Sequence, residues 1–414
     1  MAKDQAGFWE EKKPWSRVKD DLLGHYLRAY FQKILTTRRP TLYVDGFAGR
    51  GEFEDGEPGS PLIALAAAHS SIRCTKIQKH RGIEMAFVEA AFGDDLASVL
   101  EARERAWAPG VSFRVIEGRF EREVSALAAR ARGGNLFVYI DPFGIKNLEH
   151  GLITRLRNTG TGPRGVELLI NLNSFGFIRA ACRAMKVKYE HDGALVEADD
   201  ELIDPMESNA GGPAVGLLNE VAGGDYWQTI IDAYRSGEID GNGAERRFAE
   251  AYRLKLSEAY RYVLSMPIRL GRRQPPKYRM VHATNHPDGC VLMAENMMKR
   301  TDDLYIYLPG HAQASLFDQD VEGAIANPAE VQKRIRHATA ELREFTGANE
   351  AMATFYASNG VICKPDVVRE EWREMERSGR IEVRRDPSAT ETGKPSSFLT
   401  PAKGKTVSIR AKQP

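Results

Sequence analysis

Residues 42–51 read Leu42-Tyr43-Val44-Asp45-Gly46-Phe47-Ala48-Gly49-Arg50-Gly51. Three apolar residues running into an acid and then a glycine-rich turn predict a short buried strand with an abrupt end. Gly49 and Gly51 allow torsions that other residues resist, so the backbone can pass close to a ligand. The same grammar returns at Phe137-Val138-Tyr139-Ile140-Asp141-Pro142-Phe143-Gly144, where proline and an aromatic ring follow the acid. Two strands that each finish in an acid-bearing turn set the frame for everything around them.

Upstream, apolar residues at Val18, Leu22, Leu23, Tyr26, Leu27, Tyr30, Phe31 and Ile34 predict a helix over 18–35. Downstream, Pro58-Gly59-Ser60-Pro61 opens another, with Ser60 as N-cap and Pro61 at the first helical position, running to about Ser70. Strands follow at Met85–Glu89, Ser112–Ile116, 136–141 and Val166–Leu172, separated by helices at Asp94–Arg105 and 120–132. Strands alternating with helices predict a parallel sheet covered on both faces. A helical insertion occupies about 174–260. Strands Tyr262–Leu270 and Tyr278–Thr284 are then joined by Gly271-Arg272-Arg273-Gln274-Pro275-Pro276-Lys277, short enough to make them antiparallel. The fold class expected is therefore α/β: a mixed seven-stranded sheet with an antiparallel final hairpin, the inventory of the Rossmann-like S-adenosylmethionine (SAM)-dependent methyltransferase fold. After about residue 301 the pattern changes to a helical linker and first helix (327–358), a second helix (Lys364 to Gly379) and two strands (Ile381–Arg385 and Ser397–Thr400), the order of a winged helix. The chain divides into an N-terminal helical segment (1–40), the α/β domain (41–310) and a winged-helix-like domain (327–402), with Lys403 to Pro414 frayed.

In a parallel α/β sheet, ligands bind at the carboxyl ends of the strands. Asp45, Gly46, Phe47, Gly49 and Gly51 sit at such an end. A carboxylate there suits a ligand bearing an ammonium and a sulfonium, as SAM does, better than a phosphate, and no Gly-Lys-Ser/Thr follows. Glu89 ends the next strand, where a carboxylate accepts hydrogen bonds from ribose hydroxyls. The spacing from Asp45 exceeds the roughly 20 residues usual between such groups; loops at 52–60 and 72–83 account for it. Glu117, after the third strand, is the candidate for an adenine amino group, with the backbone as alternative, since Arg119 stands where an acid would be convenient. Alone, this turn also reads as a plain strand-to-helix connection; Glu89 and Asp141 at the neighbouring strand ends favour ligand binding.

Methyl transfer is an in-line displacement in which positioning supplies much of the rate. An exocyclic amine is a poor nucleophile, and acceptors for its N–H groups stabilise the positive charge that develops on nitrogen. Asp141 and the carbonyl of Pro142 are placed to do this, and Phe143 offers a flat face for a base. Asn171 and Asn173 either line the pocket or cap the next helix. Arg272, Arg273 and Lys277 form a basic flap for a phosphate-bearing substrate, or a solvated hairpin. Between 380 and 414 there are eight basic residues (Arg380, Arg384, Arg385, Lys394, Lys403, Lys405, Arg410, Lys412) against three acids (Glu382, Asp386, Glu391). That charge suits duplex backbone contact, yet the preceding helix carries Asp366, Glu370, Glu371, Glu374 and Glu376, which suits a protein partner instead.

Taken together, Tyr43 to Gly51, Gly59-Ser60-Pro61-Leu62, Phe87-Val88-Glu89, Tyr139 to Gly144, Glu167-Leu168-Leu169-Ile170-Asn171 and Ala283-Thr284-Asn285-His286-Pro287 resemble the three-Cys-motif partner protein family (TcmP), methyltransferase-like proteins of bacteria. The resemblance spans roughly 15–400. It implies a methyltransferase fold and a partner carrying a three-cysteine motif, similar to radical-SAM proteins. Arg50, where many members carry proline, and Arg119 depart from the pattern.

The 414 residues carry a net charge of +1, 42% hydrophobic residues and 28% charged ones, which fits a globular protein of two or three domains. Cys74, Cys182, Cys290 and Cys363 are scattered, which excludes a zinc finger and fits a reducing, cytoplasmic setting. No apolar run reaches the roughly 20 residues of a membrane span, the polar start is not a secretory signal, and no histidine spacing suggests a metal. Three functions stand: an amino-nitrogen methyltransferase acting on nucleic acid, a retired methyltransferase fold that docks DNA or the partner, and a small-molecule methyltransferase.

Overall fold

The structure, a computed structural model, describes residues 9–77, 80–103, 106–157, 162–189, 212–269, 276–307 and 327–412. Its centre is a seven-stranded sheet: β1 (Thr41–Asp45), β2 (Ile83–Glu89), β3 (Val111–Glu117), β4 (Asn135–Ile140), β5 (Gly165–Leu172), β6 (Tyr262–Arg269) and β7 (Pro276–Thr284), in the order β3-β2-β1-β4-β5-β7-β6. Strands β1 to β5 pair parallel, while β7 runs antiparallel between β5 and β6. The expected final hairpin is present. Because β7 is antiparallel to both neighbours, β6 ends on the same side of the sheet as β1 and β4.

Strand residues alternate between two cores, as a pleated strand requires. Tyr43, Met85, Phe137 and Leu169 face one, with α1 (Pro14–Leu35), α2 (Ser60–Cys74) and α3 (Gly93–Glu101). Leu42, Val44, Val138 and Ile170 face the other. There they meet α4 (Phe120–Arg130), α5 (His150–Arg155), α6 (Ser174–Ala184), α7 (Gly212–Ala222), α8 (Trp227–Arg235) and α9 (Gly241–Leu256). Phe177 of α6 stacks on Phe248 of α9 with ring centroids 3.9 Å apart, anchoring this insertion to the sheet. Residues 190–211, within the insertion, lie outside the described residues.

Helix α10 (Pro287–Tyr307) leads to α11 (Pro328–Ala340), β8 (Thr346–Gly347), α12 (Ala348–Asn359), α13 (Pro365–Arg377), β9 (Ile381–Asp386) and β10 (Thr406–Ala411). The three strands form one antiparallel sheet in the order β8-β10-β9. Two expectations fail here. Ser397–Thr400 is not a strand, and Lys403–Lys412 is not frayed, because it supplies the central strand β10. Val407 and Ile409 alternate into the core and bury there, a period-two signal hidden among lysines. The core of this unit (Ile335, Phe355, Trp372, Ile409) is continuous with the core under the main sheet. No helix among the described residues is long and apolar enough to cross a membrane.

The second loop-to-helix junction also differs from expectation. Gly59, not Ser60, caps α2. Its N–H donates to the Gly51 carbonyl at 2.8 Å, and a Cβ at Gly59 would lie only 2.9 Å from that oxygen. The close approach demands glycine at the cap, and Ser60 becomes part of a cleft wall instead.

Candidate functional site

Strands β1 and β4 are direct neighbours, with Asp45 opposite Tyr139. The Gly46 N–H donates to the Tyr139 carbonyl at 2.9 Å, so the glycine turn is tied to the strand that delivers Asp141. The two tips open on one cleft whose free interior is small, about 80 Å3. Phe47, Ala48, Gly49 and Ser60 form its β1 side; Asp141, Pro142, Phe143 and Asn171 form the opposite wall.

Asp141 gathers donors. Asn171 Nδ2 reaches Oδ1 at 2.6 Å, Tyr139 Oη reaches Oδ2 at 2.9 Å, and Lys19 Nζ spans both oxygens at 3.1 and 2.9 Å. Asn173 caps α6 by accepting from Gly176 N at 2.7 Å, so of the two asparagines only Asn171 lines the cleft. Phe143 is 38% exposed, its ring presented at the mouth.

Asp45 is fully buried behind the turn rather than in the cleft wall. Its Oδ1 accepts from Phe47 N at 3.2 Å, and Oδ2 has no hydrogen-bond partner among the described residues. Burial raises its carboxyl to about 7, against the opposing pull of the Ser60 hydroxyl and Phe47 N–H; Asp141 adds to the rise. Glu89 is committed to backbone: Oε2 accepts from Gly49 N at 2.7 Å, Oε1 from Ala91 N at 2.8 Å and Phe92 N at 3.2 Å. It shapes the turn from behind. Gly51, at φ +84°, has no room for a Cβ beside Leu96, and Gly46 none beside Phe120. Glu117 pairs with Glu89 in register at the tip of β3, exposed and away from the cleft.

Lys277 is not on a flap. Strand β7 begins at Pro276, and Lys277 is buried with Nζ 4.6 Å from the Trp15 ring. Arg272 and Arg273 lie outside the described residues.

The sequence reading missed a whole wall. Trp9, Ser16, Lys19 and Asp20, from the N-terminal arm and α1, close the cleft, and Tyr278 joins them from β7. Trp9 packs on Gly49 (φ +61°), where any Cβ would overlap its indole. Lys12 pairs with Asp20 at 2.6 Å, yet burial still raises Asp20 to about 6. One signal was present: Lys19 shares the helical face of Leu22, Leu23 and Tyr26, an unexpected lysine within an apolar stripe. Tyr139 was also findable, two residues before Asp141.

In the C-terminal unit, much of the basic charge is already paired. Arg385 meets Glu376 through two bonds of 2.7 Å, Arg410 meets Glu382 at 2.6 Å, and Arg384 stacks 3.6 Å over the Phe345 ring. Arg336 bonds Glu371 of α13 at 2.6 Å. Lys394, Lys403 and Lys405 remain exposed.

No family model matches the chain, and no curated protein does. Among solved structures, one described as the methyltransferase domain of bacterial-CtHen1-CN overlaps it with a TM-score of 0.28 and 12% sequence identity, across 62% of this chain and 96% of that one. An overlap that slight carries no functional inference.

Proposed function

We propose that the chain is a SAM-dependent methyltransferase acting on an amino nitrogen, with a nucleic-acid base as the acceptor. One observation carries this reading: the adjacent tips of β1 and β4 open on a single cleft, with a glycine turn on one side and the Asp141-Pro142-Phe143 edge on the other. The strand order, five parallel strands with an antiparallel β7 inserted before β6, is the expected methyltransferase arrangement.

The residues fit the cofactor. Gly49 brings backbone without a side chain to the cleft, and Asp45, buried behind this turn, accepts from Phe47 N. Phe47, Gly49 and Ser60 would hold SAM, with Asp45 and Glu89 holding the turn; bound there, SAM supplies an electrophilic methyl group. Asp141 and the Pro142 carbonyl take the N–H bonds of the acceptor amine, Asn171 and Tyr139 fix Asp141, and Phe143 stacks on the base. The exposed lysines of the C-terminal unit, read as a winged-helix-like module, hold the phosphate backbone.

Isothermal titration with SAM and tritiated-methyl transfer into total nucleic acid from cells lacking the protein test the two halves. Heat on titration and label in nucleic acid are expected, and Asp141→Asn should cut transfer by about 100-fold. The absence of heat would remove the cofactor reading. A second reading has its own observation: Trp9 packs on the glycine turn and Lys19 engages Asp141, as if the cleft were filled by the chain itself. Then the fold binds without transferring, and docks nucleic acid or a three-cysteine-motif partner. SAM binding without label in any nucleic acid would favour it.

A further inference from the structure

We propose that Lys19 is a methyl acceptor in its own right, a self-modification site at the cleft's acceptor edge. This rests on the methyltransferase reading and names an acceptor for the same site. The group that Asp141 is placed to hold is an amine, and the structure already seats one there: Lys19 Nζ lies 2.9 and 3.1 Å from the two carboxylate oxygens. Lys19 is 8% exposed, it comes from a helix rather than a loop, and it faces the same cleft as Gly49 and Ser60. A lysine buried on the apolar face of α1 loses hydration and side-chain freedom, so its position is held by partners rather than by solvent. Besides Asp141, the Tyr278 ring lies 5.3 Å from Nζ, and Asp20 follows it in sequence, engaged by Lys12.

The chemistry balances with a methylsulfonium donor as co-reactant. The Lys19 ammonium passes one proton to the Asp141 carboxylate, which is 22% exposed and can release it to water. The freed Nζ lone pair forms the new N–C bond as the donor's S–C bond breaks. That electron pair returns to sulfur, leaving a neutral thioether. The methylated amine regains a positive charge and keeps N–H groups for Asp141. An aliphatic amine is a better nucleophile than an exocyclic base amine, whose lone pair is delocalised, so no further activation is required once the proton has left.

The test uses the full chain. Mass spectrometry of the intact protein as isolated, and after incubation with methyl-labelled SAM, should show a methyl increment that peptide fragmentation places on Lys19. Loss of tryptic cleavage after Lys19 should accompany it. Lys19→Arg preserves a cation beside Asp141 and should keep the fold by circular dichroism while losing the increment. Titration calorimetry with SAM is run on the same samples. SAM binding with Lys19 unmodified in both preparations overturns this proposal and leaves the methyltransferase reading intact. Absence of binding overturns both. A methyl group found on another lysine, or retained in Lys19→Arg, also overturns it.

Discussion

Asp45 is where the energetics of the cleft are most exposed to measurement. Its carboxyl is raised from 3.8 to about 7 by burial, and Asp20 is raised to about 6 by the same cause. Below pH 4 both the folded and unfolded chains hold these protons, and the stability associated with them is fully present. As pH rises, the unfolded chain releases its proton first, so that stability is lost progressively until pH passes about 7. Asparagine imitates the protonated acid. Asp45→Asn should therefore gain on the wild type with rising pH, by about 3 kcal/mol between pH 5 and pH 8 at roughly 1.4 kcal/mol per pKa unit. Urea unfolding of the ligand-free proteins at the two pH values measures this, and a gap that shrinks with pH would refute the assignment of the shift to burial. Gly49 makes a second residue-level prediction. At φ +61°, alanine costs about 1–2 kcal/mol in backbone strain, and its methyl group has no place beside Trp9. Gly49→Ala should release the N-terminal arm, seen as faster proteolytic cleavage ahead of residue 20.

Elements show why some of the architecture was readable and some was not. Strand β1 and strand β4 were legible because a fully buried strand is a continuous apolar run, and a glycine or proline marks its end. Helix α1 was legible from its stripe, but the stripe could not say that its first turns close a cleft, since Lys19 meets Asp141 across 122 positions of sequence. Glu89 was placed correctly at a strand tip, while its occupation by three backbone N–H groups depends on turn geometry that no spacing encodes. Strand β10 was missed because only Val407 and Ile409 alternate, and the surrounding lysines read as a tail. That strand now carries a clear expectation. It pairs on both sides, with β9 over six residue pairs and with β8 at Ser408 and Ile409. Ile409 is wholly buried, so Ile409→Ala should destabilise the C-terminal unit by about 2–5 kcal/mol. Limited proteolysis and thermal melting report this; a melt indistinguishable from the wild type would mean that β10 does not close the sheet.

Taken whole, the molecule keeps nearly all its cations away from the cleft, whose lining among the described residues holds Lys19 alone of the lysines and arginines. The cleft is small, walled by buried side chains and by the N-terminal arm, while exposed lysines and arginines recur along the whole of the described residues. An overall charge of +1 conceals this distribution. Within the C-terminal unit, Arg385 and Arg410 are committed to Glu376 and Glu382, so they support the fold rather than a partner. The exposed lysines of the β9–β10 connection are Lys394, Lys403 and Lys405. Reversing all three to glutamate should weaken duplex binding by at least tenfold at low salt. The plot of log affinity against log salt should flatten, since each lost phosphate contact removes about 0.9 from the slope. SAM titration heat should not change, because none of the three lines the cleft. The discriminating measurement is fluorescence anisotropy with a labelled duplex across a salt series. If the triple variant binds with the wild-type slope, these lysines contact no backbone phosphate, and the acidic face of α13, with Glu370 and Glu374 on its surface, becomes the side to probe with a protein partner.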